Sequence, residues 1–290
     1  MIPEKYRPLI PNHKYPPFLN GRHFEEYFYD FWQSLPDDQK EKLHYIDIYW
    51  LNLHKLGRFN RNEIQKLVDE ECKIAKDNGK IPFTLCQWDD NIEIKKPENM
   101  RVYSIGTSKD VPMPLLVEDK TDRLLKVPRV SFKDKKYLAS FVGTHTHNVR
   151  RVLHSTYKDD QDFCFKIRNG WTNVVPEELA NLFITTTQES KFGLAPRGYG
   201  ASSFRYFELI QMGVIPVYIH NGDNALPFQD EIDYSKFSVS VHIEDIGKLK
   251  DILESIDETK YTQMVSELQR VEQSFTLLES CRYILRNLRR

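Results

Sequence analysis

Three charged side chains interrupt an apolar stretch and give the first indication of chemistry. Between Lys191 and His220 the chain reads KFGLAPRGYGASSFRYFELIQMGVIPVYIH, with Arg197, Arg205 and Glu208 set among apolar residues. Arg205 and Glu208 are three apart, on one face of the helix that the pattern implies. Helical side chains lean toward the N-terminus, so Glu208 points back at the loop before it. That loop holds Gly198, Gly200 and the capping candidates Ser202 and Ser203. A helix start with free N–H groups, hydroxyls and a nearby guanidinium is a natural phosphate seat. A carboxylate leaning toward it is suited to a ribose diol. The alternative is an internal pair between Glu208 and Arg205 or Arg197, and both hold at once if an arginine orients the carboxylate.

Two more polar clusters stand where apolar runs end. The loop Gly143-Thr144-His145-Thr146-His147-Asn148 leads into a helix with Arg150 and Arg151 in its first turn. Positive side chains oppose the dipole there, so they call for an external anion such as a diphosphate, held together with loop N–H groups and the Thr144 hydroxyl. The alternative is one solvated arginine and one paired with an acidic neighbour. His145 and His147 lack a companion carboxylate, so no metal site is expected. The third cluster is Asp89-Asp90, at the end of IPFTLCQW. There is no G-x-G-x-x-G fingerprint and no G-x-x-x-x-G-K-[ST] loop, which disfavours a nicotinamide cofactor and a P-loop nucleotidase.

The elements that must position these residues follow from periodicity. Residues 24–35 read as a helix whose aromatic face packs on a sheet or walls an acceptor pocket. LHYIDIYWL (43–51), IPFTLCQW (81–88) and RVYSIG (101–106) read as strands, and 61–79 as an amphipathic helix. Residues 111–119 form a proline-bearing edge or linker. A second set begins near Lys126: strands at 136–143 and 162–167, helices at 149–157 and 176–190, the unit at 191–220, and a strand at 236–243. Apolar positions 264, 268, 271, 275 and 278 continue as one long terminal helix or two. Strands alternating with helices in two sets imply an α/β fold of two Rossmann-like domains facing each other across a cleft. Ligands bind outside the carboxyl ends of parallel strands, so one cleft can hold all three clusters.

Composition limits the alternatives. The chain has 290 residues, a formal net charge of −1, 29% charged and 40% hydrophobic residues. That charge provides no global field for nucleic acid or an acidic membrane, and no such partner is expected. The scattered cysteines 72, 86, 164 and 281 read as reduced core residues. No apolar run approaches the roughly 20 residues of a membrane span. The proline-rich N-terminus does not read as a signal peptide, so a soluble cytoplasmic protein is expected.

PRGYGASSFRYFELIQMGVIPVYI, with LPF and DYSKFSV downstream, resembles the C-terminal signature of exostosin-like glycosyltransferases. YLASFVGTHTHNVRRVL resembles that family's strand–glycine loop–arginine segment, and IPFTLCQWDDN and VPMPLL resemble its acceptor-side half. The resemblance covers about residues 80–256. It implies the GT-B arrangement, a nucleotide-sugar donor, inversion at the anomeric carbon and no obligatory metal or other cofactor. It implies an acceptor-side domain at 1–122, a donor domain at 123–265, and a C-terminal helix at 266–290 crossing back to the first domain. It places the donor against Gly143, Thr144, His145, Arg150 or Arg151, Arg197, Gly198, Ser202, Ser203, Arg205 and Glu208. The membrane-bound animal and plant members of the family carry an anchor and stem; neither is expected here, which implies a compact microbial or viral type, in the host cytoplasm if viral.

The expected reaction moves a sugar from a UDP-sugar to a hydroxyl of an oligosaccharide or glycoprotein glycan. UDP-xylose is placed ahead of UDP-glucose, UDP-galactose and UDP-glucuronate. The base is Asp89 or Asp90, because an aspartate at its ordinary pKa of ~3.9 is ionised at neutral pH; His54 and His13 are reserves, and Asp90 reads equally as a cap. The alternatives are an inactive nucleotide-sugar or glycan-binding protein and an enzyme acting on the UDP-sugar alone.

Overall fold

The apolar runs form two separate parallel sheets. The structure, a computed structural model, describes residues 2–7, 21–89, 91–105, 110–170, 175–222 and 225–290. The N-terminal half runs α1 (Phe24–Ser34), α2 (Asp37–Lys40), β1 (Leu43–Tyr45), α3 (Trp50–Lys55), α4 (Arg61–Asp77), β2 (Ile81–Cys86), β3 (Arg101–Ser104) and β4 (Val111–Pro112). Its strands pair in the order β1-β2-β3-β4. The C-terminal half runs β5 (Tyr137–Thr144), α5 (Asn148–Tyr157), β6 (Phe163–Arg168), α6 (Glu177–Gln188), β7 (Ser190–Pro196), α7 (Phe204–Gln211), β8 (Ile215–His220), β9 (Val239–His242) and α8 (Leu249–Glu254). Its strand order is β6-β5-β7-β8-β9. The winding reverses between β5 and β7, and ligands gather at the carboxyl ends of such a switch point. The N-terminal sheet has no reversal among its described strands, so the crevice that a doubly wound sheet offers belongs to the C-terminal half.

Close packing at one glycine fixes the helix that leaves this crevice. A Cβ on Gly193, in β7, would lie 2.1 Å from Leu209 Cδ2 of α7. The helix therefore rests directly on the strand backbone, with Leu209 buried. Gly193→Ala is expected to cost about 1–3 kcal/mol through overpacking. Urea unfolding measures this directly; an unchanged midpoint would show that α7 shifts without penalty.

In the N-terminal half Phe28 and Trp32 of α1 lie edge-on to Phe83 of β2, with ring centroids 6.0 and 5.4 Å apart. The aromatic face of the 24–35 segment is thus packed on the sheet. After α9 (Glu258–Val271) a short 3-10 turn and an extended Thr276 start α10 (Leu277–Arg289), so the terminal apolar repeat is two helices. α10 crosses back to the first half: Asn287 accepts from Tyr103 Oη (2.8 Å) through Oδ1 and from Arg101 Nη1 (2.7 Å) through its carbonyl. One apolar cluster joins Phe28 and Phe83 to Ile284 and Leu285 of α10 and to Phe207 of α7. The fold is the GT-B arrangement that the resemblance implies: two parallel α/β halves, a cleft, and a returning terminal helix.

The expected strand at 43–51 shortens to three residues. Ile46 and Ile48 satisfy their apolar character in a separate core with Trp50 and Ile64, and Asp47 pairs with Arg7 at 3.1 Å, so burial alone accounts for the apolar pattern there. Cys72, Cys86, Cys164 and Cys281 are buried and unbridged. No helix among the described residues is long and apolar enough to cross a membrane.

Candidate active site

The carboxyl ends of both sheets open on one cleft of about 1020 Å³. From the C-terminal half, Gly143, Thr144, Arg150, Gly198 and the residues of the α7 entrance line it. Those entrance residues are Ser202, Ser203, Arg205 and Glu208, and from the other half Asp89 faces them. The structure therefore brings together most of the residues selected by the strand-end argument.

Glu208 is held by its helix neighbour. Arg205 Nη1 donates to Glu208 Oε2 at 2.7 Å, Nη2 donates to the Val142 carbonyl at 2.7 Å, and the guanidinium carbon stands 3.6 Å from the centre of the Phe183 ring. A cation bonded on two sides and stacked on a ring has few orientations left, so Arg205 fixes where the carboxylate points. Ser203 occupies the N-cap position of α7. Its hydroxyl makes no capping bond among the described residues, so the cap expected from its residue type is not made. The buried hydroxyls of Ser202 and Ser203 both face the cleft.

The arginines take other positions than the diphosphate argument assigned. Arg150 donates to the carbonyls of Thr144 (3.0 Å), Arg197 (3.0 Å) and Pro196 (3.3 Å). It ties the ends of β5 and β7 together at the switch point while lining the cleft. Arg151 is exposed and does not line the cleft, because it follows Arg150 by one residue and so falls on another helix face. Arg197 Nη1 donates to Asn221 Oδ1 at 2.7 Å and Nη2 to the Tyr199 carbonyl at 3.2 Å, so its guanidinium is directed beside the cleft. His145 also lies off the cleft, its ring 5.1 Å from that of His154; burial, with the charge of His154 second, holds its pKa below the ordinary value. His147 caps α5, accepting from the Val149 N–H at 3.2 Å. Among the described residues no three His, Cys, Asp or Glu side chains gather as metal ligands.

On the opposite side Asp89 ends the β2 segment. A Cβ on Gly200, in the loop before α7, would lie 2.5 Å from Asp89 Oδ1. The carboxylate of one half thus rests against the glycine turn of the other, and no side chain fits between them. Asp90 and His13 lie outside the described residues. His54 is stacked between Phe59 (4.3 Å) and Trp88 (4.7 Å) and does not line the cleft, because the rings that flank it keep it in the core.

Several cleft residues escaped the sequence argument. His23 and Lys55 enter from helix ends, which a rule about strand ends does not examine. Lys55 keeps much of its stem in contact with solvent, yet burial of its ammonium lowers its pKa against the opposing pull of Asp89, Glu25 and Glu26. Lys166 and Arg168 stand at the carboxyl end of β6, where the same rule would have found them, and Thr146 and Tyr199 lie within loops already selected.

Glu25 is the least accessible carboxyl near the site, with 0% of its surface exposed. It accepts from the Gln87 N–H and from the Leu51 N–H at 3.2 Å, and so joins α1 to the starts of the two segments that carry Asp89 and Lys55. Burial pushes its pKa well above the usual carboxylate value, and the neighbouring Glu26 is raised for the same cause. Folding therefore takes up protons at these groups. Their contribution to stability is complete below the unfolded value of about 4.3 and is lost as the pH rises through the folded value. Glu25→Gln removes one such site. Between pH 5 and pH 8 its urea midpoint is expected to fall less than that of the parent; equal falls would show that Glu25 is ionised at both values.

The Exostosin GT47 domain model matches residues 87–256. A probable glycosyltransferase of Arabidopsis thaliana is 30% identical over 167 residues, covering 57% of this chain and 33% of its own length. Exostosin-1 of Drosophila melanogaster is 28% identical over 145 residues, covering 42% of this chain and 18% of its own length. The chain therefore spans a third or less of these relatives. Among solved structures, TarM aligns with a TM-score of 0.38 at 10% identity, covering 71% of this chain and 54% of TarM. An alpha1,3-fucosyltransferase with GDP aligns with a TM-score of 0.35 at 14% identity, covering 71% of this chain and 78% of that one.

Proposed function

The chain belongs to the exostosin GT47 family, and on that premise we propose that it is a metal-independent inverting glycosyltransferase. Its donor is a UDP-sugar, UDP-xylose first among the candidates, and its acceptor is a hydroxyl of an oligosaccharide or glycoprotein glycan. The observation that carries this reading is the contact of Asp89 with Gly200. It sets a carboxylate of the acceptor half against the turn that starts α7.

In the proposed reaction the diphosphate lies against the N–H groups at the start of α7 and the hydroxyls of Ser202, Ser203 and Thr144. Arg150, Lys166 and Arg168 add positive charge. Glu208, oriented by Arg205, takes the ribose hydroxyls. Asp89 accepts the proton of the attacking hydroxyl as its oxygen bonds to the anomeric carbon from the face opposite the diphosphate. The bond from that carbon to the phosphate oxygen breaks, and UDP leaves with the bonding pair. Pre-set N–H dipoles and cations stabilise the charge that develops on the leaving group, which is why no metal is assigned a role. Four buried, unbridged cysteines suit a reducing compartment, and a cytoplasmic location is part of the proposal.

A panel of nucleotide sugars in a thermal-shift assay identifies the donor, because a ligand that binds only the native state raises its stability. UDP release is then measured with and without glycan. Release that depends on acceptor supports transfer. Release indifferent to acceptor indicates an enzyme acting on the donor alone, and binding without release indicates a binding protein.

A further inference from the structure

Tyr199 is 65% exposed, and it is the only exposed aromatic among the described residues. It lines the cleft from the loop between β7 and α7. Apart from Leu182, which also lines the cleft, the remaining exposed large apolar side chains among the described residues are Leu56, Ile74 and Leu278, single aliphatic residues that do not line it. At a cleft wall a ring such as that of Tyr199 offers an open aromatic face to whatever enters the cleft. The loop beneath it is fixed: its carbonyl accepts from Arg197 Nη2 at 3.2 Å, and the next residue, Gly200, rests against Asp89.

The facing half offers a second aromatic at the same place. Trp88 also lines the cleft, and it directly precedes Asp89. Its indole is locked, with Nε1 donating to Glu93 Oε1 at 3.0 Å and the ring lying nearly parallel to His54, 5° between planes. The contact of Asp89 with Gly200 therefore brings together two short segments, Trp88-Asp89 and Tyr199-Gly200, with one cleft-lining aromatic contributed by each half of the protein.

We propose that Tyr199 and Trp88 form the platform for the acceptor sugar, and that its ligand is a β-linked pyranoside whose ring presents a face of axial C–H bonds. The C–H edges of such a ring carry partial positive charge and are drawn to the negative face of an aromatic π system, while the ring hydroxyls remain free for polar partners. Tyr199 adjoins Gly200, which rests against Asp89, so a sugar held on the platform lies in the part of the cleft that contains this carboxylate, and the platform selects acceptors by ring shape. Tyr199 is thus a binding and specificity residue. This inference rests on the reading of Asp89 as the base, but its test does not require turnover.

Saturation-transfer NMR on the full chain, without donor, uses methyl β-D-xylopyranoside and methyl β-D-glucopyranoside as probes. The expected result is saturation concentrated on the protons of one ring face, H1, H3 and H5 or H2 and H4. Tyr199→Phe should preserve it and Tyr199→Ala should weaken binding about fivefold or more. The exposure of Tyr199 makes both variants compatible with folding. Even saturation around the ring, no binding to the parent protein, or undiminished binding by Tyr199→Ala would overturn the proposal. Loss of transfer with a Tyr199-dependent signal would then count against the enzyme reading alone, and transfer without that signal against the platform alone.

Discussion

Asp89→Asn is expected to lower kcat by about 10²–10⁴-fold, the usual contribution of a positioned general base. The stabilisation by UDP should stay as in the parent. Asparagine keeps the shape that Gly200 accommodates and removes the ability to take a proton. The proposed donor seat lies on the other half of the molecule, on the α7 entrance and the β5 loop, so the substitution should separate chemistry from donor binding. Measuring both acceptor-dependent UDP release and the UDP-induced melting shift reads the two effects independently. A variant with parental turnover would move the base elsewhere, with His23 on the same cleft wall the next residue to test.

Glu208→Ala carries the second large effect, on affinity. Hydrogen bonds to a charged group contribute roughly 1.5–3 kcal/mol, so loss of the ribose clamp should weaken UDP binding by about 10–100-fold. Calorimetric titration with UDP reads this directly. The same change removes the carboxylate that Arg205 meets at 2.7 Å. Arg205 remains stacked on Phe183 and bonded to the Val142 carbonyl, which limits the collateral loss. Arg205→Lys provides the complementary variant: it keeps the charge, gives up the planar stack and the fork, and should loosen the orientation of Glu208. Parental UDP affinity in Glu208→Ala would reduce this carboxylate to a structural partner of Arg205.

The legible parts of this molecule were those in which a local pattern has one physical solution. The apolar runs at 137–144, 190–196 and 215–220 are strands covered on both faces, so burial dictates their composition. The strand-end rule then located Asp89, the Gly143 loop and the α7 entrance without reference to tertiary structure. What sequence did not show was direction. Arg150 and Arg151 are adjacent and chemically alike, yet one bonds strand-end carbonyls inside the cleft and the other faces outward. Only the helix phase distinguishes them. Arg197 sits at a strand end, as the rule requires, but Asn221 on the neighbouring loop diverts its guanidinium. Glu25 was hidden for a different reason: within FEEYFYDFWQSL it looks like an ordinary helix-start acid, and its partners at Gln87 and Leu51 are long-range contacts. Lys55 and His23 likewise reach the cleft from helix ends brought there by the tertiary fold.

The proposed function makes inversion its most exposed consequence. A carboxylate that acts as base across the cleft from the leaving diphosphate implies a single displacement, with inversion at the anomeric carbon. The most direct measurement is the anomeric configuration of the first-formed product, read by NMR from the coupling constant of the new glycosidic proton with an α-linked UDP-sugar as donor. A new β-glycosidic bond, formed by the parent and lost in Asp89→Asn, is the predicted result. An α-linked product, or release of the sugar to water at the same rate with and without acceptor, would contradict it.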